Sequence, residues 1–90
     1  MKRLHIYVSG IVQGVFFRQS TFTKAKEFGI YGWVKNLRDG RVEIVCEGDE
    51  ESLKKMAIWC KKGPDGAFVS GADVQWEDFK NEFKKFQIIY

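Results

Sequence analysis

Acidic residues are missing from one long stretch of this chain. Twelve Asp and Glu are present in all, yet none falls between Gly10 and Lys26. Cysteine and histidine are scarce. Cys46 and Cys60 lie too far apart for metal-ligand or redox spacing, and each falls at an apolar position, so both read as buried thiols. The single histidine, His5, sits mid-strand with no nearby Ser or Cys to make a triad, and reads as a surface or half-buried structural residue. Long apolar runs are absent too, the longest being far below the ~18 residues needed to cross a bilayer. No leader, repeat, low-complexity tract or linker is visible, so a cytoplasmic protein is expected. None of these residues implies a metal or a cofactor.

What is present suits one domain over residues 1–90. Hydrophobic residues make up 44% of the chain, with eight Phe and three Trp, enough to fill a modest core. Charged residues make up 30% with both signs interspersed, as in a globular protein. A net charge of +3 helps to attract anions but is too small to argue for nucleic acid by itself.

Leu4, Ile6 and Val8 alternate with His5, Tyr7 and Ser9, the period of a half-buried strand. A helix is expected from about Phe16 to Phe28, capped by Gly29, with Thr21, Phe22, Ala25 and Phe28 on one face. Residues 30–37 and 41–48 read as strands joined by the turn Arg38-Asp39-Gly40. A second helix starts at an Asp49 N-cap and stops at Gly63-Pro64. Strands are expected over 73–77 and 86–90, and residues 78–85 read as a loop with buried aromatics, Phe79 and Phe83. This order predicts a ferredoxin-like α/β (α+β) sandwich, βαββαβ plus a final strand, with two helices on one face of an antiparallel sheet.

The acid-free stretch holds the most informative segment, Gly10-Ile-Val-Gln-Gly-Val-Phe-Phe-Arg18. The positive end of a helix disfavours a cation, so an arginine in the first turn works against the helix. The second helix obeys the rule, opening on Asp49, Glu50 and Glu51 and closing on Lys61 and Lys62. Arginine, flexible glycines and free N–H groups at one spot suggest an anion pocket, most plausibly for phosphate. A Walker A loop is excluded, because three residues rather than four separate Gly10 from Gly14 and no Lys follows. On physics alone, a plain strand-to-helix turn with a solvated Arg18 remains open.

The segment 10–18 resembles the signature of the acylphosphatases. So does Gly32-Trp-Val-Lys-Asn-Leu-Arg-Asp-Gly-Arg-Val-Glu-Ile44, which is similar to the family's second signature. The likeness continues through Glu47-Gly48-Asp49 and Gly63-Pro64 and covers essentially the whole chain. Arg38 and Asp65 stand where the family often has proline, outside the proposed chemistry. The resemblance implies hydrolysis of the carboxyl-phosphate anhydride without metal or covalent intermediate. It assigns phosphate binding to Arg18 with the backbone of Gln13, Gly14, Val15, Phe16 and Phe17, and placement of the attacking water to Asn36. The implied partner is a small acyl phosphate, with inorganic phosphate as product and competitor and no nucleic acid or membrane; a monomer is expected.

Two rivals from other classes remain. An RNA-binding ferredoxin-like module needs exposed aromatics on its central strands, whereas the third strand offers Arg41, Glu43, Val45 and Glu47. The second is a catalytically idle phosphate or acyl phosphate sensor, against which the intact pair of Arg18 and Asn36 argues. Elsewhere Trp33, Trp59 and Trp76 read as core or core-edge residues, and Glu43 and Glu47 as ordinary solvated carboxylates.

Overall fold

The computed structural model describes all of residues 1–90. The elements run β1 Lys2–Ile11, α1 Phe17–Phe28, β2 Tyr31–Asn36, β3 Val42–Gly48, α2 Glu50–Lys62, β4 Phe68–Glu77 and β5 Phe86–Ile89. The five strands form one sheet in the order β4-β1-β3-β2-β5. Both helices cover one face, because Leu4, Ile6, Val34 and Ile44 alternate toward that side and meet Ala25 of α1 and Leu53 and Met56 of α2. The fold is the expected ferredoxin-like α+β sandwich.

Helix α2 begins as its sequence predicts, with the Asp49 carboxylate accepting from Ser52 N–H at 3.2 Å. Helix α1 ends on Gly29 in the left-handed conformation, whose N–H bonds back to Ala25 and Lys26 carbonyls. Cys46 and Cys60 are both buried and free. Burial pushes the Cys46 thiol up to about 12, and it holds Cys60 well above its ordinary value, so neither is a nucleophile at neutral pH.

Several expectations need correction. The sheet is mixed rather than antiparallel, because β5 pairs with β2 in parallel. The chain leaves β4 at one edge, crosses the end of the sheet where β2 begins, and enters β5 from that same end. Strand β4 starts at Phe68 rather than 73, since the opposing β1 extends to Ile11 and pairs with it across a register shift at Ser9/Gly10. Gly10 is required there: with φ +125, a Cβ would sit 2.1 Å from the Phe68 carbonyl oxygen.

Residues 78–85 are a loop, but Phe79 is 39% exposed rather than buried. The loop is tied down by a carboxylate instead. Glu47, 4% exposed, accepts from the N–H groups of Lys80 at 2.7 Å and Glu82 at 2.9 Å, and pairs with Arg3 at 3.5 Å. Glu47 is therefore no solvated carboxylate, and Glu43 is not one either: its Oε2 lies 2.7 Å from His5 Nε2. Trp76 is exposed on the edge strand, while Trp33 and Trp59 are half-buried.

Candidate active site

Alternation along β2 decides where Asn36 points. Val34 is fully buried on the helix-covered face, and Asn36, two residues on, shares that face at the end of the strand. There it lies beneath the start of α1. The helix start is anchored by Phe17, which is buried with its ring centroid 5.3 Å from that of Trp59 on α2. Phe16, just before it, is left-handed at φ 61 and 80% exposed, and provides no side-chain cap. A bulky residue in that conformation costs about 1–2 kcal/mol, the kind of strain that collects at functional sites.

The result is a cavity of about 210 Å³ lined by Gly14, Phe16, Phe17, Arg18 and Asn36, with Ile88 of β5 and Tyr90 beyond it closing one side. Arg18 and Asn36, far apart in the chain, thus face one space. No backbone N–H from Gly14 to Gln19 donates a hydrogen bond to another backbone group, the first such donor being Ser20 to Phe16 at 3.0 Å. No acidic residue stands in the first turn, and no carboxylate pairs with Arg18. By contrast, Arg3 pairs with Glu47, Glu77 and Glu82, and Arg41 with Asp39. The site is a concave cluster of donors and one guanidinium with no anion of its own.

Asn36 is the unusual member. Its Oδ1 is buried and accepts no hydrogen bond. Buried polar atoms are nearly always partnered, and an orphan costs about 1–3 kcal/mol. Asn36 also lines the cavity, so a small turn of its amide brings this unpartnered acceptor to a water or a ligand there.

Of the loop residues named from sequence, Gly14, Phe16, Phe17 and Arg18 line the cavity, whereas Gln13 and Val15 do not. Gln13 braces the loop: its Nε2 donates to the carbonyls of Leu37 at 2.7 Å and Arg41 at 2.9 Å. Those carbonyls belong to the hairpin that follows Asn36, so one side chain ties the loop to the end of β2. Sequence reasoning missed Ile88 and Tyr90, because parallel pairing with a strand fifty residues earlier leaves no local signal. The far face of the sheet does not suit stacking of bases, for Glu43, Glu47 and Glu77 cluster there around His5 and Arg3.

Known proteins resemble this chain in sequence and in fold. The sequence model of the Acylphosphatase family matches residues 4–88. A protein named acylphosphatase from Methylococcus capsulatus is 49% identical over 89 residues, spanning 99% of this chain and 97% of the relative. One from Pelotomaculum thermopropionicum is 47% identical over 88 residues, spanning 98% and 96%. The crystal structure of acylphosphatase from Bacillus subtilis superposes with a TM-score of 0.96 at 37% identity, covering 100% of both chains. That of an acylphosphatase from Coxiella burnetii gives 0.93 at 39% identity, over 98% of this chain and 92% of the other.

Proposed function

The chain belongs to the acylphosphatase family, hydrolases of the acyl phosphate bond, and on that premise we propose that Arg18 and Asn36 divide the reaction between them. Arg18 and the free N–H groups of residues 14–18 bind the phosphoryl oxygens and neutralise their charge as the bond breaks. Asn36 Oδ1 accepts a hydrogen bond from a water and holds it in line with the scissile bond. The water oxygen forms the new bond to phosphorus while the bond from phosphorus to the carboxyl oxygen breaks. The electron pair leaves with the carboxylate, and the water's proton passes to a phosphoryl oxygen. An asparagine is not a base, so it places the water without deprotonating it. A carboxylate is a good leaving group, so neither a general acid nor a metal is needed to expel it.

The observation that carries this reading is that Asn36, whose buried Oδ1 has no partner, lines the same cavity as Arg18, which pairs with no carboxylate. Purified protein is expected to hydrolyse an aryl acyl phosphate with a chelator present, and inorganic phosphate to compete with it. Loss of turnover on chelation, restored by metal, would falsify the metal-free route. The same reading takes residues 1–90 as one catalytic domain, acting as a monomer in the cytoplasm on a small acyl phosphate.

A further inference from the structure

A second, larger cavity lies at the other end of the elements that wall the first. It has a volume of about 450 Å³ and opens between the last turns of α1, the start of β2 and the start of β5. Its apolar wall includes Phe22, Ala25, Ile30 and Phe86, with the Phe22 and Phe86 rings edge-on at 6.4 Å between centroids. Ala25, Ile30 and Phe86 are buried beneath it, and the half-buried Phe22 and the exposed Tyr31 supply most of its accessible apolar surface. Nothing in the hydrolytic reaction uses these residues.

The rim is cationic. Lys26, Lys84 and Lys85 all border the opening, and none of them pairs with a carboxylate, whereas Lys2, Lys24, Lys35 and Lys54 each do. The Lys26 ammonium lies 5.4 Å from the Phe22 ring centroid, so one cation already leans over the apolar floor. The negative end of the α1 dipole is nearby and opposes an anion, but at about half a charge it is outweighed by three ammonium groups.

We infer that this recess is a second binding site, taking a small amphipathic carboxylate with its chain on the Phe22–Phe86 floor and its head among Lys26, Lys84 and Lys85. The shape selects the class. A free phosphate would find no apolar complement and no nest of backbone N–H groups. The volume lies within the range of small-molecule sites. Apolar burial drives the chain in, and unpaired ammonium groups at the mouth orient the head.

The test is a titration of the whole protein with octanoate, followed by backbone amide NMR shifts, with 1-octanol as the uncharged control. Saturable shifts centred on Gly29, Ile30, Tyr31 and Phe86 are expected in the roughly millimolar range. Octanol is expected to bind several-fold more weakly. A variant carrying Lys26→Gln, Lys84→Gln and Lys85→Gln should bind octanoate about tenfold more weakly while keeping acyl phosphate turnover. Absence of saturable shifts overturns the inference. So do shifts centred on residues 14–18 and Asn36, which would mean octanoate occupies the hydrolytic cavity. Equal binding of octanol overturns the role of the lysines. Concentration-dependent shifts of the same amides without ligand, with failure of octanoate to bind, would assign the recess to a second copy of the chain. Binding of a poly-glutamate peptide but not octanoate would assign it to an acidic protein segment.

Discussion

The Arg18 guanidinium lies over the face of Tyr90, its Cζ 4.9 Å from the ring centroid. Tyr90 follows β5, the strand whose parallel register against β2 sets Ile88 beside Val34. The ring therefore meets the Arg18 guanidinium, which we propose binds phosphate, from the far edge of the sheet. An exposed cation–π contact is worth about 0.5–1 kcal/mol, so Tyr90→Leu is expected to weaken phosphate inhibition about two- to fivefold. Tyr90→Phe keeps the ring and is expected to behave as the parent. If the Phe variant loses as much as the Leu variant, the phenolic hydroxyl matters and the ring contact does not.

Arg18 and Asn36 should separate kinetically. On the proposed mechanism Arg18→Ala removes the charge that meets phosphate in ground and transition states alike, so phosphate affinity and turnover should fall together. Asn36→Ala is expected to leave the inhibition constant of phosphate within about twofold while lowering kcat by about 100-fold, the size of a lost positioning contact. The Ala variant also removes an unpartnered buried oxygen, so its melting temperature should not fall. Equal loss of phosphate binding and turnover in Asn36→Ala would make Asn36 a phosphate ligand.

Gln13 offers a third separation. Its amide donates to two carbonyls of the β2–β3 turn, Leu37 and Arg41, and touches no part of the cavity. Each carbonyl also accepts a backbone N–H, Leu37 from Gly40 and Arg41 from Leu37, so Gln13→Ala should cost only about 0.5–1.5 kcal/mol for each side-chain bond lost. It should also lower kcat more than it raises KM, because the loop and Asn36 lose their shared brace. Gln13→Glu cannot donate to the carbonyls and should be no better than Ala. A variant with reduced melting temperature but unchanged kcat would reduce Gln13 to a stability role.

The legibility of this protein follows the range of its interactions. Arg18 stood out because a helix start has a local charge rule, and Arg18 breaks it within a few residues. Asn36 was readable only through the family resemblance, since nothing local marks an amide whose partner loop lies across the fold. Alternation on β3 placed Glu43 and Glu47 on the face away from the helices, which is correct. It could not say that the loop 78–85 covers the end of that face, nor that His5 and Arg3 gather there. The same limit hid Tyr90, since β5 is four residues long and its place is set by β2 and by the crossing loop, not by its own pattern.

That crossing loop makes the fold sensitive to acid at one residue. Burial by itself would raise the Glu47 carboxyl pKa. The N–H groups of Lys80 and Glu82, with the Arg3 charge, outweigh it and hold the group below its ordinary value. A carboxyl whose pKa is depressed on folding stabilises the native state above its unfolded pKa, about 4.5, and loses that contribution as pH falls through the lower, folded value. Protonated Glu47 would release the loop that leads into β5, and with it Ile88 and Tyr90 at the cavity lined by Arg18 and Asn36. Stability is therefore expected to fall below about pH 4.5, with amides of residues 80–89 losing hydrogen-exchange protection before those of β1 and β3. Glu47→Gln removes the charge at all pH values, so it should be less stable near pH 7 and show a flatter acid profile. An acid profile unchanged by this substitution would place the acid sensitivity elsewhere.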